Sequence, residues 1–256
     1  MVVDLPTATQ ELELRSPHVP TRPEFHAVPA QTGVLGERVV GAAALGLAAS
    51  LAVQNAVVIA AGAPDYAASV AAVLAFHAEH RGAVSAAIGL EALNLPLLLV
   101  LLAGLHGTVR RRGGAGADWS RVAVAAGAAL AATFALYAVL WAGVVLSADG
   151  LAEPSSLLEL TWRLHAAAFA LALPALGTTF AAAALAAGAS GLTPAWQAVL
   201  GVGGGGLLVV AGSAGLAIAD GSPLLFVGMP GYAAWLVWLL ATGVRLVRTP
   251  AVRPAP

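Results

Sequence analysis

The chain has 256 residues, of which 59% are hydrophobic and 10% are charged; its net charge is −1 and it contains no cysteine. An average soluble domain carries about 25% charged residues, so too few charged groups are present to cover a water-soluble surface. The composition excludes a disordered chain, a disulfide scaffold and a thiolate metal site, and the near-neutral charge argues against nucleic acid as a partner. It indicates a multi-span membrane protein, whose partner is the lipid bilayer.

Residues 1–36 differ from the rest of the chain because they combine five prolines with several charged residues. The prolines exclude a long helix, and no apolar run resembles the core of a secretory signal. We therefore predict a disordered cytoplasmic tail over 1–36 and a second, short cytoplasmic tail over 249–256.

Six apolar stretches within residues 37–248 are long enough to cross a bilayer, which takes about 20 residues of helix. They lie at about 39–62, 83–108, 122–147, 162–187, 196–219 and 224–247. We predict an all-α polytopic membrane protein, a bundle of six transmembrane helices in the cell membrane. The connection 63–82 has helical spacing of its apolar residues, and it predicts a short amphipathic helix or an extension of the second span.

The arginines indicate the orientation. With both termini in the cytoplasm, ten of the twelve arginines lie inside, and Arg81 and Arg163 lie outside. This asymmetry follows the positive-inside rule. Tyr66, Trp141 and Trp162 then fall at the outer interface, where aromatic side chains commonly anchor a membrane protein. The ten inside are Arg15, Arg22, Arg38, Arg110, Arg111, Arg112, Arg121, Arg245, Arg248 and Arg253.

Four polar residues fall near the middle of the first two spans: Gln54, Asn55, Glu91 and Asn94. Glu91 lies roughly 12 Å into its span at 1.5 Å per residue. A carboxylate at that depth costs about 2.5–3.5 kcal/mol, so it should face the bundle interior and have a partner. We predict a polar cluster between the two spans. It either holds the helices together through hydrogen bonds or forms a proton relay or a polar ligand site.

Histidines form a second candidate site at the predicted outer face. His77 and His80 share one helical face, and His165 begins the fourth span at the same side of the membrane. Together with a nearby carboxylate, three imidazoles are a ligand set for Zn²⁺ or Cu²⁺, and two imidazoles can ligate haem. The alternative is that these histidines contact water and lipid headgroups, with no cofactor.

The run GVGGGG, residues 201–206, matches the dinucleotide pattern GxGxxG. That fingerprint requires a preceding strand and a βαβ unit, and here the run lies inside a membrane span. Gly201, Gly205, Gly212 and Gly215 instead recur at helical spacing, which predicts close packing of this span against a neighbour.

Three segments carry a resemblance to a family: LNLPLLLVLLAGL in the second span, WRLHAAAFAL at the start of the fourth and GYAAWLVWLLATGVRLVR at the end of the last. Over about residues 60–250 the chain resembles a set of uncharacterised six-span integral membrane proteins of actinobacteria. The resemblance implies the location and the architecture. It implies no activity and no functional residues.

Three functional hypotheses follow. The first is an integral membrane protein without enzymatic chemistry of its own that binds a lipid, a small ligand or a partner protein within the bundle. The second is a small proton-coupled transporter or permease that uses Glu91, with Pro96 and Pro174 interrupting two spans and a homo-oligomer completing the framework. The third is a membrane metal or haem protein that uses His77, His80 and His165.

Overall fold

The computed structural model of the protein describes residues 32–148 and 155–248, and α-helices occupy most of them. The all-α fold that we predicted is confirmed, with six helices long and apolar enough to cross a membrane among the described residues. The helices are α1 (Thr32–Ala60), α2 (Val70–Glu79), α3 (Arg81–Arg111), α4 (Ala117–Ala148), α5 (Ser156–Ala189), α6 (Ala195–Ser213), α7 (Gly215–Ala219) and α8 (Leu225–Arg248).

The bounds of the six long helices differ from the predicted spans by one to seven residues at each end, and three of the differences concern the organisation of the chain. Helix α1 begins at Thr32, inside the tail predicted over 1–36, while residues 1–31 and the tail predicted over 249–256 lie outside the described residues. The fifth span, predicted over 196–219, is divided at Ala214 into α6 and the short α7. The amphipathic segment forms a separate helix, α2, which His80 joins directly to α3.

The six long helices form a closed ring. Helix α1 packs against α3, α3 against α4, α4 against α5, α5 against α6, α6 against α8, and α8 returns to α1. Helix α5 is the most buried of the six and also touches α3 and α8, so it leans towards the middle of the ring. Outward-facing side chains are large and apolar, such as Val139, Leu146 and Val199. This surface fits a multi-pass integral membrane protein, because lipid replaces water around it.

Glycines bring α5 and α6 into backbone contact, as the spacing in α6 predicted. A Cβ atom at Gly205 would lie 2.5 Å from the Gly177 carbonyl oxygen, and one at Gly212 would lie 2.9 Å from the Pro174 nitrogen. A Cβ at Gly201 would meet the Ala184 side chain. Such close approach is how small residues associate membrane helices.

The two ends of the ring differ. We call the end that carries α2 and α7 the α2 end. The half of the ring away from it is packed with apolar side chains, among them Leu101, Leu105, Leu130 and Trp238. At that opposite end, Arg112 of α3 bonds to Glu37 of α1 at 3.0 Å. The bundle is therefore sealed at the opposite end, and the interior space lies at the α2 end.

Candidate ligand-binding site

A cavity of about 780 Å³ enters the bundle from the α2 end and reaches the middle of the helices. Its mouth includes Asp65 and Ser222 in the loops beside α2 and α7, and its floor includes Gln54, Glu91 and Tyr232. Its volume lies within the range of small-molecule sites in proteins, roughly 300–1,000 Å³.

Two floor residues, Gln54 and Glu91, belong to a hydrogen-bonded group of polar side chains from α1 and α3 that also includes Asn94, just outside the cavity lining. Gln54 donates from Nε2 to Glu91 Oε2 at 2.6 Å and accepts at Oε1 from Asn94 Nδ2 at 2.8 Å. All three side chains are buried. The helical spacing of Glu91 and Asn94 places both on the face of α3 that meets α1, and Gln54 bridges them. Structure and sequence agree on these three residues as neighbours.

The Asn55 side chain does not join this group. Its Nδ2 donates to the Leu51 carbonyl oxygen at 2.8 Å and to the Tyr232 hydroxyl at 2.9 Å. One residue further along α1 than Gln54, it turns about 100° away from α3 and towards α8. Asn55 thus lines the same cavity as Glu91, but it belongs to a second contact, between the first and last helices of the ring.

One side of the cavity is a wall of aromatic rings, where α4 and α5 meet the loop before α2. The His165 ring stacks between those of Tyr137 and Trp162, with centroids 4.0 and 5.0 Å away. Tyr66 lies over Trp162 and Phe169 at 5.6 and 5.7 Å. We call these five residues, Tyr66, Tyr137, Trp162, His165 and Phe169, the aromatic wall.

The aromatic residues predicted at the outer interface therefore have a different environment. Trp141 and Trp162 are only 5% and 6% exposed and face the bundle interior. Tyr66 contacts Tyr137 through its hydroxyl, and burial, together with the neighbouring Tyr137, raises the pKa of the Tyr66 phenol well above its ordinary value. This phenol stays protonated at neutral pH and keeps its capacity to donate a hydrogen bond.

No family model, curated protein or solved structure matches the chain. The resemblance to six-span actinobacterial proteins stays a prediction, and the chemistry of the cavity has to be interpreted from its own residues.

His77 and His165 both contact Trp141 and Trp162, while each of the three histidines has a hydrogen-bond partner of its own. His77 Nδ1 lies 2.7 Å from the Val73 carbonyl oxygen, and His77 Nε2 accepts from Trp141 Nε1 at 2.9 Å, so both ring nitrogens are engaged. His165 Nδ1 lies 3.1 Å from the Tyr137 carbonyl oxygen. The His80 ring stacks on Phe76. Within the described ranges, no three His, Cys, Asp or Glu side chains are grouped as metal ligands. These contacts fit a structural role for His77 better than a ligand role.

Acid should destabilise the protein through His77. Burial lowers the pKa of this imidazole below its ordinary value of 6.5, with the bond to Val73 opposing the shift. Between the lowered value and about 6.5 the unfolded chain binds more protons than the folded chain. Stability should therefore fall as pH decreases below about 6.5, by at most about 1.4 kcal/mol per pH unit.

Thermal unfolding of the purified protein between pH 8 and pH 5 measures this effect. His77→Gln keeps a donor and an acceptor without an imidazole, so its midpoint should depend less on pH than that of the wild type. His80→Gln, three residues away on α2, is the matched control. His165 also faces His77 and is the same in both variants, so it does not account for a difference between their slopes. Equal slopes in His77→Gln and the wild type would contradict the prediction.

Sequence reasoning missed the residues of α4, α5 and α8 that complete the site. Tyr137 and Tyr232 carry hydroxyl groups deep inside apolar spans, and that depth was the available signal. Phe134 and Phe169 gave no such signal. An apolar ring in a membrane span looks the same in the sequence whether it faces lipid or a cavity.

Proposed function

We propose that the protein is a membrane receptor for a small amphipathic molecule, which it binds in the cavity at the α2 end. The supporting observation is one continuous space bounded by aromatic rings at its side and by Glu91 and Gln54 at its floor. An apolar lining with a few convergent polar groups is the usual composition of a ligand site. The molecule's apolar part would contact the aromatic wall, and its polar group would reach the floor.

The cavity also has an edge towards the surrounding lipid. Ile59 of α1 and Phe226 of α8 both line the cavity and are 75% and 70% exposed. At the opposite end these two helices are in backbone contact, because Gly41 lies against the Gly243 backbone. An amphipathic molecule dissolved in the bilayer would reach the cavity between Ile59 and Phe226.

The positive-inside asymmetry supports an orientation in the cell membrane with both termini in the cytoplasm. Under this orientation the α2 end faces outward, since α1 runs from the cytoplasmic side towards α2. The cavity would then receive its ligand from the outer side of the membrane or from the outer leaflet.

Single cysteines test the open cavity and the orientation together, without background, because the chain has no cysteine of its own. Phe134→Cys lies in the cavity lining, and Leu136→Cys, two residues along α4, faces lipid with 54% exposure. A small membrane-impermeant thiol reagent added to intact cells should label Phe134→Cys and leave Leu136→Cys unmodified. n-Decanol, a neutral amphiphile, should slow the labelling of Phe134→Cys several-fold.

Two further cysteines control the experiment. Ser222→Cys at the mouth should react from outside, and decanol should leave its rate unchanged. Ala115→Cys, in the loop between α3 and α4, should react only after the cells are opened. An unreactive Phe134→Cys beside a reactive Ser222→Cys would disprove an open cavity, and outside labelling of Ala115→Cys would reverse the orientation.

Proton-coupled transport is the second candidate, because the cavity ends at a carboxyl group and an apolar layer closes the bundle beneath it. A transporter alternates between two openings, whereas a receptor needs one. Labelling of Phe134→Cys in inverted vesicles as well as intact cells would favour transport.

A further inference from the structure

We infer that the ligand is an organic cation, an ammonium or similar group attached to an apolar body. This inference rests on the proposed function and adds the charge of the molecule. It depends on three features of the cavity lining: the carboxyl groups, the composition of the aromatic wall and the position of the guanidinium groups.

The formal charges of the lining have one sign. Glu91 lies at the floor and Asp65 at the mouth, and no arginine belongs to the lining in the described part of the chain. Histidines are the remaining basic residues there. Burial lowers the pKa of His77 and favours its neutral form, in which Nε2 accepts the hydrogen bond from Trp141. In a space of low dielectric constant, two carboxyl groups without a basic counterpart favour a positively charged guest.

Two arginines illustrate how guanidinium groups lie outside the cavity lining and bind other partners. Arg163 follows Trp162 directly, yet its side chain points away from the cavity and bonds to Glu159 at 2.8 Å on the exposed side of α5. Arg112 pairs with Glu37 at the opposite end. An anionic ligand would therefore lose its hydration inside the bundle without gaining a charge partner from the lining.

The aromatic wall supplies the second attraction. Ring faces carry negative electrostatic potential, and Trp and Tyr attract cations within about 6 Å of their centroids. Tyr137 and Trp162 are stacked on His165, and Tyr66 lies over Trp162 and Phe169. A cation with apolar substituents interacts with these rings and with the floor carboxyl group together, whereas a neutral amphiphile leaves that carboxyl group without a partner of opposite charge.

The oxygen atoms of the floor point to the same charge. Asn94 Oδ1 is buried without a hydrogen-bond partner, beside a small chamber of about 50 Å³ that Glu91 also lines. Gln54 donates to Glu91 through Nε2, and its Oε1 accepts from Asn94. The floor and the chamber beside it thus hold more acceptor oxygens than donor nitrogens, and a ligand that carries N–H or positively polarised C–H groups complements them.

Tetraphenylphosphonium and tetraphenylborate test the inference, because they share shape and size and differ in the sign of the charge. Equilibrium binding to the wild-type protein in lipid nanodiscs, corrected with empty nanodiscs, should give at least about tenfold tighter binding of the phosphonium, the ratio expected from one charge-assisted contact. Glu91→Gln should remove most of this preference, and Asp65→Asn part of it. Glu159→Gln, outside the cavity lining, should bind like the wild type.

The outcomes separate the inference from the proposed function. Equal affinity for both ions, or tighter binding of the borate, would overturn the cation inference and leave a charge-indifferent receptor. No binding of either ion, together with protection of Phe134→Cys by decanol, would also overturn it and leave the receptor proposal intact. Should Glu91→Gln fail to fold, Asp65→Asn carries the test: an unchanged phosphonium-to-borate ratio in that variant would count against the inference.

Discussion

Replacing Gly177 with alanine is expected to destabilise the protein by about 3 kcal/mol or more, the upper range for an overpacked interior. The added Cβ would press against the Gly205 carbonyl oxygen and lie 2.9 Å from Val209 Cγ2. The obstruction is backbone, which cannot rotate aside as a flexible side chain can. Helices α5 and α6 would have to separate along their length, and α5 is the most buried helix of the ring.

Gly206→Ala is the matched control on α6. Nothing lies within 4 Å of a Cβ at that position, and alanine is the better helix former by about 1 kcal/mol. Gly206→Ala should therefore be as stable as the wild type or slightly more so. Unfolding free energies measured by SDS titration in mixed micelles give both values. A Gly177→Ala variant with wild-type stability would show that the α5–α6 contact is looser than the structure has it.

Replacing Gln54 with leucine is expected to cost about 2–3 kcal/mol, because this side chain takes part in both hydrogen bonds of the floor. Its loss leaves Glu91 Oε2 without a donor and Asn94 Nδ2 without an acceptor. A single hydrogen bond between membrane helices contributes about 0.6 kcal/mol on average, while a stranded buried polar group costs roughly 1–3 kcal/mol. The stranded groups dominate the expected effect.

Asn55→Leu supplies the comparison, since Asn55 is adjacent in sequence and exposed. Its loss breaks one bond between side chains, to Tyr232, and should cost less than about 1 kcal/mol. The same SDS titration measures both variants, and a Gln54→Ala/Glu91→Ala double-mutant cycle isolates the coupling between the two floor residues. Equal losses in Gln54→Leu and Asn55→Leu would mean that water, rather than Gln54, satisfies the carboxyl group.

The membrane architecture could be predicted from the sequence because it depends on local properties. Runs of about 20 apolar residues identify a span wherever its neighbours lie, and the break at Ala214 is the main departure among the long helices. The Glu91–Asn94 spacing and the equal depth of Gln54 placed three polar groups together, since a polar group in lipid has few alternatives to a polar partner.

The aromatic wall could not be predicted in the same way. Trp141 and Trp162 lie at the depth where tryptophan commonly faces lipid headgroups, and depth is what a sequence records. Their inward direction depends on how α4 and α5 are rotated in the ring, which is a property of packing between distant segments. The contact of Asn55 could not be predicted for the same reason, because its partner Tyr232 lies 177 residues away in sequence.

The positions of the six tryptophans should make the intrinsic fluorescence of the protein sensitive to what occupies the cavity. Trp141 and Trp162 line it, Trp235 and Trp238 are buried and stacked on each other with ring centroids 5.4 Å apart, and Trp119 and Trp196 are about half exposed. Indole emission follows the polarity around the ring. A guest would thus change the spectrum of the first pair against a constant background from the second, so occupancy can be followed in unlabelled, native protein.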